Sequence, residues 1–174
     1  MEIRTTAIAD CRLLILDRFQ DTRGVFAELY RAGRYAPSEL APAWRQINCS
    51  TSRKNVVRGI HAAPFAKLIS CVHGRVFDVV VDLRPASPTY KRWVGQELTP
   101  ENGLQVYVPP GCGHGFMALE DDSIVVYAQS GEYDPKIERT VHWQDEQIGI
   151  QWPAAAEYIL SPRDREAPGL PAQQ

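Results

Sequence analysis

Two histidine-bearing segments and one lysine are the residues of this chain whose types and spacing could do chemistry. His61 ends the run Arg58-Gly59-Ile60-His61, Lys67 follows in a strand-like segment, and His114 lies within Pro110-Gly111-Cys112-Gly113-His114-Gly115-Phe116. A histidine side chain supplies a base that works near neutral pH, and a lysine supplies a cation for a developing oxyanion. The set predicts removal of a proton from a carbon next to a carbonyl group.

The elements that must hold these residues show a hydrophobic period of two. Between Val76 and Arg84, apolar residues at alternate positions share one face, whereas Asp78 and Asp82 share the other with Val80. This alternation is typical of a strand with one drier side, and it assigns Asp78 and Asp82 to a solvated or internally bonded polar face. Similar runs recur at residues 13–16, 25–31, 45–50, 67–72, 104–108 and 123–129.

Turn-forming residues separate these runs, and the chain contains 13 prolines. Many short strands with closely spaced turns predict an all-β sandwich or barrel. Few helices are expected, with the best candidates at residues 37–40 and 154–158, where alanines favour helix.

Length and charge limit the classes of function. The 174 residues suit a single domain spanning residues 1–174, with a frayed tail from about residue 168. A net charge of −2 provides no field to attract nucleic acid or an anionic membrane. The first residues do not resemble a signal peptide, no run is long enough to span a bilayer, and the four cysteines lack paired spacing. A cytoplasmic location with reduced cysteines is expected.

The segment around His114 resembles the second half of the metal site in cupin jelly rolls. The first half of such a site needs a His-x-His pair followed by a carboxylate, but Ala62 and Ala63 follow His61 here. The sequence therefore predicts no metal site.

Blocks spread from residue 21 to residue 168 resemble the dTDP-4-dehydrorhamnose 3,5-epimerase family. The resemblance implies a cupin-type jelly roll, a homodimer, no metal, no cofactor, and epimerisation of a nucleotide-linked 4-keto-6-deoxy sugar at C3, C5 or both. The blocks are Asp21 to Glu28, Gln46 to Ser50, Val57 to His61, Gly74 to Arg84, Ser87 to Thr89, Pro110 to Phe116 and Leu160 to Asp164.

The same resemblance implies roles for four catalytic residues. His61 is the base, Asp164 orients it, Lys67 faces the enolate oxygen, and Tyr127 donates a proton on the other face of the sugar. No cofactor is implied because no electrons leave the sugar. From residue types alone, Tyr127 is equally a packing ring, Asp164 a turn residue and Lys67 an edge-strand charge.

Substrate binding is implied for a second set of residues. Arginine forks suit the two phosphates of a nucleoside diphosphate, and amides on one strand face act together. In the family, the strand bearing Phe26 and Glu28 reaches across the dimer to complete the partner's site. The implied binding residues are Arg23, Phe26, Glu28, Gln46, Asn48, Arg58, His114, Glu132 and Tyr133.

Departures from the family pattern leave alternatives open. Residues 62–66 join His61 to Lys67 through a short loop without amides, and Glu132 stands where the family often has a ring that stacks on thymine. Guanine or cytosine therefore competes with thymine as the nucleobase. A sugar 3,4-ketoisomerase on the same fold, or a non-catalytic or metal-binding cupin, are the rival functions.

Overall fold

The computed structural model describes residues 1–36, 40 and 43–171, and its elements are mostly β-strands. In chain order they are β1 (Glu2–Thr5), β2 (Arg12–Ile15), β3 (Arg18–Asp21), β4 (Gly24–Ala27), α1 (Ala32–Tyr35), β5 (Gln46–Ser52), β6 (Val57–Ala62), β7 (Lys67–His73), β8 (Val76–Asp82), β9 (Trp93–Leu98), β10 (Leu104–Val108), β11 (Cys112–Ala118), β12 (Ser123–Gln129), β13 (Arg139–Thr140) and α2 (Pro162–Arg165).

The strands form two large antiparallel sheets and one hairpin. The first sheet has the order β1-β2-β10-β7-β12-β5, the second has the order β13-β6-β11-β8-β9, and β3 pairs with β4. From β5 to β12 the chain changes sheets at nearly every turn, as in a jelly roll. The predicted all-β jelly-roll fold is confirmed.

The main core lies between the two sheets. Ile69 and Val125 of the first sheet pack with Val80 and Phe116 of the second, and all four are at most 3% exposed. Period-two patterning explains this, because alternate side chains of each strand point to the same face. The inner faces of β8 and β11 therefore also carry Asp78 and His114 into the interior.

The outer face of the second sheet is covered as well. Val79 and Val81 of β8 pack against Val141, Ile148 and other residues that follow β13. This strand is therefore buried on both sides, so of the two predicted alternatives for its polar face, the solvated one is wrong and the internally bonded one is found. Asp78 and Asp82 are 2% and 0% exposed, and Asp82 accepts hydrogen bonds from Arg84, Ser87 and Thr89.

The helix predicted at residues 154–158 is absent, and an irregular segment takes its place. Its neighbour Ile159 pairs with Val56, and backbone bonds join Ile159 to Asn55 and Val57 at 2.9 Å. Pairing with the end of β6 thus overrides the helix propensity of the alanines. Most of the other helical candidate, residues 37–40, lies outside the described residues.

Residues 168–171 differ from the predicted frayed tail, whose remaining residues 172–174 lie outside the described part of the chain. Leu170 is 7% exposed and its amide donates to Asp145, while the Pro168 carbonyl accepts from the amide of His142 at 2.9 Å. Residues 168–171 are therefore docked. In the part of the chain that the structure describes, no helix is long and apolar enough to cross a bilayer.

Candidate active site

A cavity of about 600 Å³ opens beside the inner faces of the two sheets. Strands β5, β7 and β12 of the first sheet and β6 and β11 of the second line it, and residues 159–164 close one side. Its size is in the range of small-molecule sites. The predicted residues that line it are Gln46, Asn48, Arg58, His61, Lys67, His114, Tyr127, Tyr133 and Asp164.

His61 and Asp164 form a hydrogen-bonded pair at the cavity wall. Nε2 of His61 lies 2.6 Å from Oδ1 of Asp164, and the amide of Gly59 donates to Oδ2 at 3.4 Å. Burial by itself raises the pKa of the Asp164 carboxyl, but hydrogen bonds led by that of His61 outweigh it and the net pKa is lowered. An ionised Asp164 accepts a hydrogen bond from the Nε2–H group of His61. Nδ1 of the neutral ring then carries no proton, and its lone pair can accept one.

Helix α2 positions Asp164 although it has only four residues. Ser161 caps its N-terminus by accepting from the amide of Asp164 at 3.1 Å, and Pro162 occupies the first turn. The Ser-Pro-Arg-Asp segment, which sequence patterns also allow as a simple turn, therefore forms a capped helical turn that buries the carboxylate.

Gly59 permits the close approach of β6 and β11. Its φ is 125°, and a Cβ at this position would lie 2.6 Å from Cα of Gly115 and 2.8 Å from the carbonyl oxygen of His114. Side chains rarely adopt that φ and would clash there. The pairing that results sets His61 directly opposite His114.

Lys67 is the first residue of β7 and is 4% exposed. Because β7 lies between β10 and β12, the reading of Lys67 as an edge-strand charge is wrong. Its Nζ donates to the carbonyl of His61 at 3.3 Å. Burial lowers the pKa of this lysine, an effect that Glu138 opposes and Arg163 reinforces.

Tyr127 reaches the cavity from β12, on the sheet opposite His61. Burial raises the pKa of its phenol, and the negative charge of Glu138 adds to the effect. The hydroxyl therefore stays protonated at neutral pH and is available as a donor.

His114 forms a second histidine–carboxylate pair. Its Nε2 lies 2.7 Å from Oδ2 of Asp78, and the two residues are 7% and 2% exposed. Burial raises the pKa of Asp78, and the neighbouring His114 opposes this only in part.

Amides and an aromatic ring line the outer part of the cavity. Gln46 donates to Asn48 at 2.8 Å and accepts from the amide of Tyr133 at 2.7 Å. The hydroxyl of Tyr133 accepts from Arg163 at 3.2 Å, so the ring is held at both ends. The short loop before Lys67 contacts the segment that precedes Tyr133. Phe65 packs against Gly131, and the amide of Ala66 donates to the hydroxyl of Ser130.

Four predicted binding residues do not line the cavity within one protomer. The Arg23 side chain is 88% exposed and pairs with Asp21, and Phe26 is 67% exposed. Glu28 is bound by Arg34 at 3.1 Å, and Glu132 is exposed. Hairpin β3–β4 carries the first two away from the site, so one chain by itself does not bring them to it.

Sequence patterns missed Glu138 and Arg163, which both line the cavity. Arg163 donates to Glu138 at 2.7 Å and to Thr140, and this network joins α2 to the segment bearing Tyr133. The position of Arg163 next to Asp164 was an available signal. Glu138 carried none, because it lies in an irregular polar segment.

Among residues 1–36, 40 and 43–171, no group of three or more His, Cys, Asp or Glu side chains is arranged to hold a metal ion. Asp78 and Asp164 each pair with a different histidine.

Comparison with known proteins gives consistent results over nearly the whole chain. The profile of the family described as dTDP-4-dehydrorhamnose 3,5-epimerase matches residues 5–172. A protein of that name from Sinorhizobium fredii is 39% identical, over 98% of this chain and 90% of its own length. A dTDP-4-dehydrorhamnose 3-epimerase from Streptomyces niveus is 41% identical, over 96% and 83%.

A solved structure shows the same likeness. The dTDP-6-deoxy-D-glucose-3,5-epimerase of Legionella pneumophila, in complex with dTDP-4-keto-L-rhamnose, superposes with a TM-score of 0.93 at 36% identity. The superposition covers 97% of this chain and 92% of that one.

Proposed function

The chain belongs to the dTDP-4-dehydrorhamnose 3,5-epimerase family, and we propose that it inverts ring carbons of a nucleotide-linked 4-keto-6-deoxy sugar through an enolate. The observation that carries this proposal is the pairing of His61 with Asp164 at a cavity that Lys67 and Tyr127 also line.

The chemistry begins at a carbon next to the C4 ketone. Nδ1 of His61 takes the proton, and the ionised Asp164 stabilises the imidazolium that forms. The electron pair left on carbon delocalises onto the ketone oxygen, where the Lys67 ammonium stabilises the enolate.

Inversion requires that a proton return from the opposite face of the ring. Tyr127 lies on the first sheet and His61 on the second, so a sugar between the sheets presents its two faces to them. The phenol gives its proton to carbon, and transfer of a proton from the His61 imidazolium to the tyrosinate, through solvent, restores both groups.

Polar groups of the cavity suit the rest of the substrate. The guanidinium of Arg58, which donates to Ser52 and to the carbonyl of Thr51, adds positive charge for a phosphate. The buried Oγ of Ser50 and Nε2 of Gln129 have no partner among the described residues. The Tyr133 ring, 48% exposed, offers a stacking face for a nucleobase. Thymine is the base we propose, because the relatives are named for dTDP sugars and the exposed Glu132 does not line the cavity.

A homodimer is part of the proposal. Phe19 and Phe26 on hairpin β3–β4 are 58% and 67% exposed. Large apolar side chains exposed together on a surface often mark a contact with another protein. In a dimer this hairpin would cover a second copy and bring Arg23 to its site. A cytoplasmic location is also proposed, and four free thiols suit a reducing compartment.

Proton NMR in heavy water tests the activity. With a thymidine-linked 4-keto-6-deoxy sugar, the C3 signal, the C5 signal or both should disappear, and the guanosine-linked sugar should react more slowly. His61→Ala should slow exchange by about 10²-fold or more, as expected for loss of a general base. The exposed His73→Ala is the matched control and should exchange normally.

Two outcomes would contradict this function. Rapid exchange in His61→Ala would remove the assigned base. Movement of the ketone from C4 to C3 would instead identify a 3,4-ketoisomerase.

A further inference from the structure

Two histidine–carboxylate pairs lie side by side with both histidines lining the cavity, and the mechanism above uses the His61 pair as base. His61 and His114 are register partners on β6 and β11, so their side chains leave the sheet on the same face. Each imidazole is held through Nε2, at 2.6 Å by Asp164 and at 2.7 Å by Asp78. Neither Nδ1 makes a hydrogen bond to the residues that the structure describes, and both rings line the cavity.

The two carboxylates have different surroundings. Asp164 accepts from the backbone amide of Gly59 as well as from its histidine. Asp78 has His114 as its hydrogen-bond donor, and its buried Oδ1 has no partner within the described part of the chain. Accordingly, the pKa of Asp164 is lowered against the effect of burial, whereas burial raises the pKa of Asp78.

Few other charges face Asp78. The neighbouring thiols of Cys11 and Cys71 are neutral, because burial raises the pKa of each to about 11. Arg4 and Arg12 line the same small cavity of about 260 Å³ that Asp78 borders, but Arg4 is paired with Glu2. Arg12 donates to the carbonyl of Cys11.

The number of protons shared by Asp78 and His114 decides whether Nδ1 of His114 faces the cavity as a hydrogen-bond donor or as an acceptor. If Asp78 is a carboxylic acid, it donates to Nε2, and the neutral imidazole carries its proton on Nδ1. If Asp78 is ionised and His114 is an imidazolium, Nδ1 again carries a proton. An acceptor at Nδ1 requires an ionised Asp78 beside a neutral ring, which leaves a buried negative charge with one unsatisfied oxygen.

We propose that Asp78 is a positioning residue that holds His114 as a hydrogen-bond donor, so that His61 accepts a proton while His114 donates to the enolate oxygen together with Lys67. In enzyme sites, two carboxyl groups whose surroundings push their pKa values apart often take different roles, one on the acid side of the reaction and one on the base side. The inference rests on the proposed function for the identity of the oxygen. The protonation of Nδ1 is a property of the free protein.

Nitrogen NMR of the substrate-free, ¹⁵N-labelled protein tests the protonation directly. We expect Nδ1 of His114 to carry a proton from mildly acidic to mildly alkaline pH. At alkaline pH, Nδ1 of His61 should be unprotonated and its Nε2 protonated. An unprotonated Nδ1 on His114 at neutral pH would overturn the inference, whatever reaction the protein catalyses.

Two substitutions of Asp78 test the catalytic consequence. The amide of Asp78→Asn donates to Nε2 and preserves the proton on Nδ1, so its kcat should stay within about threefold of the parent. Asp78→Val frees the ring, and its kcat should fall about tenfold or more with KM little changed, since loss of one oxyanion donor costs about 10²-fold or more.

Equal kcat losses in both variants, or no loss in Asp78→Val, would refute the positioning role. If Asp78→Val does not fold, the NMR measurement and Asp78→Asn still decide. Failure of the proposed function has a different signature, namely a parent protein that exchanges neither the C3 nor the C5 proton.

Discussion

Lys67 is a residue whose charge depends on its neighbours. Its ammonium is almost fully enclosed, so burial lowers its pKa, while Glu138 acts in the opposite direction. Stabilisation of an enolate needs the ammonium form, which is lost as pH rises through the pKa of Lys67. The cavity is therefore expected to lose activity on the alkaline side earlier than an exposed lysine would allow.

Glu138→Gln tests this dependence. Removing the negative charge takes away the effect that raises the pKa of Lys67 and leaves Arg163 without its ion-pair partner, so the alkaline limb of kcat against pH should move to lower pH. The exposed Glu132→Gln is the matched control and should leave the limb in place. In Lys67→Arg the guanidinium stays charged, so any remaining alkaline limb belongs to another group. An unmoved limb in Glu138→Gln would show that Glu138 does not support the ammonium.

At the scale of elements, α2 shows how a single turn of helix can place a carboxylate beside a histidine. Four residues are too few for a stable helix by themselves, so caps and tertiary contacts hold it. Ser161 binds the amide of Asp164, and Arg163 ties the same turn to Glu138 and Thr140. These bonds set the carboxylate at 2.6 Å from His61.

Ser161→Ala should disturb this placement. Loss of the cap is expected to lower the free energy of unfolding by about 1 kcal/mol and to reduce kcat by about threefold or more, because Asp164 is held less firmly. Ser161→Thr keeps the hydroxyl and should retain both properties. Chemical denaturation and steady-state kinetics measure the two effects, and a fully active, fully stable Ser161→Ala would exclude a role for the cap.

At the scale of the whole molecule, hairpin β3–β4 is the part that one chain leaves without a partner sheet among the strands described. The hairpin exposes Phe19, Val25 and Phe26, and Arg23 at its turn does not line the cavity of its own chain. We expect a second copy of the chain to cover these rings and to receive the Arg23 guanidinium. Dimerisation would then account for both the exposed rings and the position of Arg23.

Light scattering and ligand binding test this arrangement. The parent should be a dimer, and Phe19→Ser/Phe26→Ser should shift it toward monomer and weaken binding of thymidine diphosphate. Arg23→Ala should weaken that binding by roughly tenfold, as for a lost charge-assisted hydrogen bond, without breaking the dimer. Ile137→Ser, an exposed apolar residue outside the hairpin, is the control. A monomeric parent with full affinity would rule out a shared site.

Alternation of apolar residues was enough to predict the fold class. The runs at residues 104–108 and 123–129 coincide with β10 and β12, because alternate side chains of a strand share a face. The strand runs named from the sequence did not include β1, β3, β6, β9, β11 and β13. Of the run predicted at residues 25–31, only the first part belongs to a strand, β4 (Gly24–Ala27), because the residues after Ala27 leave the hairpin.

Residue types, short spacings and family resemblance thus determined by themselves the jelly roll and the set of His61, Lys67, Tyr127 and Asp164 that line one cavity. Tertiary structure alone decided that Asp78 is buried behind His114, that Glu138 acts on Lys67, and that residues 154–158 form no helix. The physical reason is distance along the chain. A periodic pattern specifies which side chains share a face, but segments far away in sequence decide what covers that face and which charges come near it.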